Sequence, residues 1–160
     1  MIWNLIFVFL LAFSSEPKNK ITGTSEGQKF QLEEVASDLH IPWGFDFLND
    51  DTMIITEKNG QISLLNLKDK KITKLKSNFT SYERGQGGLL DIKKHPKYPE
   101  KPWIYITMTD KKLGQLTTTL ARFKIREDRI ENFEKLLVTN ATSETSRHFG
   151  SRITFDEQGF

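Results

Sequence analysis

No cysteine occurs anywhere in the 160 residues. That absence excludes disulfides, thiol nucleophiles, and zinc or iron–sulfur sites built on sulfur ligands. It also excludes a lipoprotein anchor, which needs a cysteine after an apolar leader, but it is compatible with either redox compartment. Histidine is almost as scarce: His40, His95 and His148 are the only three, and none pair at metal-ligand spacing. There is no GxSxG elbow, so the usual hydrolase and zinc-enzyme readings drop out. Neither charge dominates, with 23 Lys and Arg against 21 Asp and Glu. The basic residues are dispersed, which leaves little support for a nucleic-acid groove or a polybasic membrane patch.

Long hydrophobic runs are missing too. The apolar stretch Leu5–Phe13 is nine residues long, whereas a bilayer core needs about 20. It fits the apolar centre of a secretory signal peptide, and Ala12-Phe13-Ser14 supplies small residues for a cut before Ser15. The preceding MIWN carries no Lys or Arg, so a short uncleaved anchor is the alternative. The expected organisation is a signal peptide at 1–14, a flexible polar leader at 15–29 and one folded region at 30–160. A hydrophobic content of 37% is enough for a packed core in that region.

What fills the folded region is strand signal. Short β-branched and aromatic runs alternate with Gly, Asn, Asp and Pro clusters, and no segment keeps a long helical period. The runs are FQLEEVA, WGFDFL, TMIITEK, QISLLNL, KITKL, GLLDIKK, WIYITMT, LTTTLARFKI and RITF. Asn49-Asp50-Asp51 and Asn59-Gly60 read as tight turns between strands. Two stretches repeat each other, Pro42–Leu67 and Gly87–Ile125. Asp46 and Asp91 take equivalent places 45 residues apart, and the strand ending in Thr56 matches the one ending in Thr107. A third copy begins at GSRITFDEQG. A period of about 40 to 50 residues with roughly four strands per unit is the signature of β-propeller blades. A meandering β-sandwich is the alternative. The expectation is an all-β chain holding about two blades and the start of a third, hence an N-terminal piece of a longer propeller.

Of the histidines, His40 lies in a loop before IPWG and His95 in the hairpin connection KKHPKYP, expected to be exposed; both read as structural or solvated. His148 stands immediately before a strand that would be innermost in its blade, where propellers line their central channel. An imidazole there can serve as a general base near neutral pH; the plainer alternative is a histidine bonded to a neighbouring carbonyl. Gly85-Gln86-Gly87-Gly88 opens the innermost strand of the preceding blade, which puts Gln86 on the same rim.

IPWGFDFLNDDTMIITEKNGQI, RGQGGLLDIKKHPKY and RHFGSRITFDEQG, in that order from about Leu32 to Phe160, resemble the soluble glucose/sorbosone (aldose) dehydrogenases that use pyrroloquinoline quinone. The resemblance implies a six-bladed propeller, a bacterial periplasmic or secreted setting, and oxidation of a sugar's anomeric hydroxyl to a lactone. It implies that His148 takes the hydroxyl proton while hydride passes to the quinone, and that Gln86 helps hold the substrate. Arg147 stands where the glucose-oxidising branch has a sugar-contacting aspartate, which makes it a candidate substrate contact and favours the broader aldose branch. Calcium ligands and most quinone contacts are expected downstream of Phe160, with no metal ligand in this chain. The expected partners are an aldose sugar and an electron acceptor, with no nucleic acid and no stable membrane association after signal removal. A non-catalytic propeller module binding carbohydrate or protein is the alternative function.

Overall fold

The computed structural model describes residues 20–159, which form ten strands and no helix. The apolar run Leu5–Phe13 and its cleavage signal lie outside the described residues. The first unit is a hairpin of β1 (Lys20–Ser25) and β2 (Gln28–Glu33), paired in register from Lys20↔Glu33 to Ser25↔Gln28. This corrects the expectation of an unstructured leader across 20–29. Ile21, Thr22 and Thr24 supply strand propensity, and Glu26 and Gly27, both at positive φ, close a two-residue turn.

The second unit, residues 36–160, carries two antiparallel four-stranded meanders. The first blade runs β3 (Pro42–Asn49), β4 (Thr52–Glu57), β5 (Ile62–Asn66) and β6 (Ile72–Lys74); the second runs β7 (Leu89–Lys94), β8 (Ile104–Lys112), β9 (Gln115–Arg126) and β10 (Arg129–Val138). Within each blade the strands lie in chain order, and β3 packs against β7, so the innermost strands are neighbours. The expected turns form: Asp51 N–H donates to Asn49 Oδ1 at 2.9 Å, and Gly60, at φ 99°, closes the β4–β5 hairpin where Gly60 N–H meets Glu57 O.

One core joins the blades. Ile54, Ile62 and Leu75 from the first meet Leu89, Ile92, Ile104, Ile106, Met108, Ala121, Phe123 and Ile130 from the second. Burying each large aliphatic chain is worth about 1.5–3 kcal/mol. The middle strands read as nearly continuous buried runs. β10 was not expected from the sequence. Its run RIENFEKLLV carries four charged residues in ten, as suits an edge strand, and it reaches its place through two register irregularities, with Asn132 at φ 54°. RITF, expected as a strand, forms none at 152–155; Ile153 N–H is bonded to the Asp91 carboxylate rather than to a ladder partner.

Two crossings carry the chain from the outside of a blade to the inside of the next. After β6, Lys76 joins the outer hairpin of the second blade through Lys76 N–H to Asp128 O and Ile130 N–H to Lys76 O, both 2.8 Å; Tyr82 N–H then bonds Thr109 O before β7 begins. After β10, Ser143 exchanges backbone bonds with Leu116, and the chain passes Gly85–Gly88 to end beside β7. The two crossings meet at one rim.

Candidate functional site

The inner strands are stapled across blades by polar side chains that the repeat places twice. Thr56 Oγ1 donates to Leu90 O at 2.5 Å, while Thr107 Oγ1 donates to Ser151 O at 2.8 Å. Asp46 Oδ2 accepts Lys94 N–H at 2.9 Å with Lys93 Nζ 3.4 Å from its other oxygen. Asp91 does the same one blade on, taking Ile153 N–H at 2.7 Å and Arg152 Nη1 at 2.9 Å. The chain at Ser151–Ile153 therefore sits against β7 as β7 sits against β3, in the innermost position of a third blade.

That placement brings GQGG and RHFGSR together. Gln86 N–H donates to Ser146 O at 2.7 Å, and His148 N–H donates to Gln86 Oε1 at 2.8 Å. The Arg84–Gly87 turn closes on itself through two backbone bonds of 3.2 and 2.9 Å, and Lys58, at the end of β4, donates its ammonium to Gly85 O. Glycine is required here for two reasons. Gly85 has φ 58° and a Cβ would run into the Ser146 side chain; at Gly87 a Cβ would lie 2.7 Å from Thr109 Oγ1 and 3.0 Å from Phe149.

Gln86, Arg147 and His148 are all exposed on this rim. His148 is itself at φ 65°, a region few non-glycine residues occupy and one that recurs at functional sites. The other histidines are elsewhere. His40 is half in solvent, with Nε2 3.3 Å from Glu83 Oε1 and its N–H on the buried Glu57 carboxylate at 2.7 Å. His95 departs from the sequence expectation of an exposed connection: it is 7% exposed, packed near Tyr105 and Phe155, with Nδ1 accepting Lys97 N–H at 3.0 Å. Burial lowers its pKa below the ordinary value of 6.5, and the Lys101 and Lys97 charges add to that. It is a structural histidine because the hairpin connection folds back over β8 instead of projecting outward. Lys58 and Ser146 escaped the sequence reading, since a lysine after a strand and a serine before an arginine carry no local signature; the Thr56–Thr107 repetition was visible, though not its bonding.

A family model described as Glucose / Sorbosone dehydrogenase matches residues 39–160. The chain belongs to that family. Aldose sugar dehydrogenase YliI of Escherichia coli K12 is 25% identical over 133 residues, covering 81% of this chain and 36% of the relative. Among solved structures, a crystal structure of glucose dehydrogenase matches with TM-score 0.70 at 27% identity, over 76% of this chain and 36% of that one. The PQQ-bound aldose sugar dehydrogenase of Streptomyces coelicolor shares the fold, with TM-score 0.70 at 22% identity, over 80% of this chain and 38% of that one. The chain spans 36–37% of the length of the curated relatives it matches. The two meanders are thus two blades of the propeller of this dehydrogenase family.

The family's cofactors can be tested against the residues at this rim. A polyanionic quinone needs cations and a base near its reactive carbon, and Arg84, Arg147 and His148 are exposed at the rim. A calcium ion needs six or more oxygen ligands. Among the described residues no three His, Asp or Glu converge on one point. The side chains of Arg84, Arg147 and His148 offer the cations and the proton acceptor that such a quinone calls for.

Proposed function

We propose that the whole protein is a quinoprotein oxidoreductase that oxidises the anomeric hydroxyl of aldose sugars to lactones. The observation that carries this reading is His148, exposed and tied by its backbone N–H to Gln86 in the Gly85–Gly88 loop, in a chain belonging to the glucose/sorbosone dehydrogenase family. In the reaction, the C1 hydroxyl proton passes from oxygen to an imidazole nitrogen of His148 as the C1–H bond breaks and the C=O bond forms. A positioned base contributes about 10²–10⁴-fold to such a step. Pyrroloquinoline quinone, when bound, supplies the two-electron acceptor for the hydride. Arg147, exposed beside His148, is the proposed contact to the sugar. Calcium and most quinone contacts come from sequence outside this chain, and the propeller has six blades. We further propose export to the periplasm or the medium with removal of residues 1–14, which N-terminal mass spectrometry of secreted material checks; an intact Met1 on cytoplasmic protein contradicts it.

The test is His148→Gln in the whole protein supplied with quinone and calcium, followed by stopped-flow measurement of quinone reduction by an aldose. Gln keeps much of the size of His but accepts no proton at neutral pH. Reduction should slow by about 10²-fold or more, with quinone affinity little changed. The 160-residue chain alone is the control and should show no turnover, because it cannot assemble a site drawn from a whole ring. Quinone reduction at a near-native rate in the variant would make His148 a structural residue and overturn the reading.

A further inference from the structure

The resemblance gives Gln86 a substrate-holding role, yet its side-chain carbonyl is already engaged. The atom facing the His148 N–H at 2.8 Å has to be Oε1, because an amide nitrogen cannot accept from an N–H donor. The neighbouring bond, Gln86 N–H to Ser146 O at 2.7 Å, has its donor on the opposite segment, so the two bonds tie Gly85–Gly88 to Ser146–His148 at two points. What they hold is unusual. His148 lies at φ 65°, a left-handed conformation that persists in a non-glycine residue only where its surroundings impose it. The bond to Gln86 is on the same residue whose backbone is so constrained.

Gln86 is in turn held from the other side. Lys58, which follows β4 of the first blade, donates its ammonium to Gly85 O and accepts Leu89 N–H on its own carbonyl at 3.0 Å. Gly85 can take φ 58° and approach Ser146 only because it has no Cβ. The order of support therefore runs from Lys58 through Gly85 and Gln86 to the His148 amide.

We propose that Gln86 is a positioning residue, whose side-chain carbonyl fixes the left-handed backbone of His148 and so presents the imidazole at the rim, and that Lys58 sets Gln86 by anchoring Gly85. The kinetic consequence rests on the proposed sugar oxidation; the structural consequence does not. A residue acting this way affects turnover more than substrate affinity, and it can be replaced by any side chain of the same length with an acceptor oxygen. A residue acting through its amide N–H groups on sugar shows the reverse pattern: the Michaelis constant rises, and Glu does not substitute.

The experiment uses the whole protein, labelled with ¹⁵N-histidine, in native, Gln86→Ala, Gln86→Glu and Lys58→Met forms, with the His148 amide assigned by its loss in His148→Gln. Removing one hydrogen bond worth about 1 kcal/mol should speed exchange of the His148 amide roughly five- to tenfold in Gln86→Ala, while Gln86→Glu retains protection. With an aldose substrate, kcat should fall roughly tenfold in Gln86→Ala with KM changed less than about twofold, and Gln86→Glu should recover most of the loss. Lys58→Met should move both readouts in the same direction by a smaller factor, and it carries the test if Gln86→Ala does not fold. Native amide protection in Gln86→Ala, or a raised KM with unchanged kcat, overturns the inference. If no form of the protein oxidises a sugar, the proposed function fails and the amide exchange still decides this one.

Discussion

β3 and β7 are the same strand of the repeat in two settings. Counting from Asp46 and Asp91, Phe45 and Phe47 correspond to Leu90 and Ile92. The phenylalanines are 57% and 43% exposed, whereas Leu90 and Ile92 are 0% and 1% exposed. The chemistry of the positions is alike; what differs is that β7 has the first blade beside it. With Trp43 also 45% exposed, the outward face of β3 carries three aromatic side chains, two of which, Trp43 and Phe45, line an apolar hollow of about 300 Å³. A propeller blade earns its stability mainly from its neighbours. In the proposed ring this face packs against the last blade, and in the chain alone it is an aggregation hazard.

The largest effect that sharpens this comparison is a pair of truncations. Ile92→Ala should destabilise the chain by about 2–5 kcal/mol, because it opens a cavity between the blades. Phe47→Ala in the 160-residue chain should stay within about 0.5 kcal/mol, as for an ordinary surface change. In the whole protein the same Phe47→Ala should rise to about 3–5 kcal/mol. Urea midpoints of both variants in both contexts provide the measurement. A Phe47→Ala cost that does not grow in the whole protein would mean that no blade covers β3.

The repeat was legible because each blade writes the same pattern of inner acid and second-strand threonine, so Asp46, Asp91, Thr56 and Thr107 announced the architecture. The hairpin turns were legible from Asn and Gly. β10 was not, since an edge strand with Glu131, Glu134 and Lys135 on it looks like a solvated loop, and only pairing to β9 makes it a strand. The hairpin β1–β2 was half legible, since FQLEEVA overlaps β2 at Phe30–Glu33, whereas β1 lay hidden in a polar stretch for the same reason as β10. RITF failed in the opposite sense: its propensity is right, but a strand exists only with a partner. At the site, the sequence placed Gln86 and His148 on a common rim, while the bond between them joins residues 62 apart in the chain and depends on a left-handed backbone that no side-chain type reveals.

Next in size are the two inner acids. Asp91→Ala leaves Ile153 N–H without its acceptor, a loss of about 1–3 kcal/mol. The Arg152 head adds little, because its side chain is 75% exposed and returns to water. Asp46→Ala should cost a similar amount through Lys94 N–H. The two variants are separable by amide exchange in the whole protein. Asp91→Ala should expose Ile153 and leave Lys94 protected, and Asp46→Ala should do the converse. Loss of both amides in either variant would mean that the staples act as one cooperative unit instead of one per interface.

The smallest expected effect is a pH dependence carried by the second blade's buried histidine, His95. Burial first, and then the charges of Lys101 and Lys97, lower the pKa of His95 in the folded chain. In the unfolded chain it titrates near the ordinary value of about 6.5. Below that value the unfolded state binds the proton and the folded state resists it. Protonating Nδ1 would also break the bond from Lys97 N–H. The neutral-imidazole contribution is therefore complete above about pH 6.5 and is lost as pH falls from there through the lowered folded value. His95→Asn keeps an acceptor oxygen for Lys97 N–H and has nothing to titrate, so it should be less stable at every pH but flatter between pH 7.5 and pH 5. Urea midpoints across that interval provide the measurement, and a native slope that survives His95→Asn would place the acid sensitivity in another group.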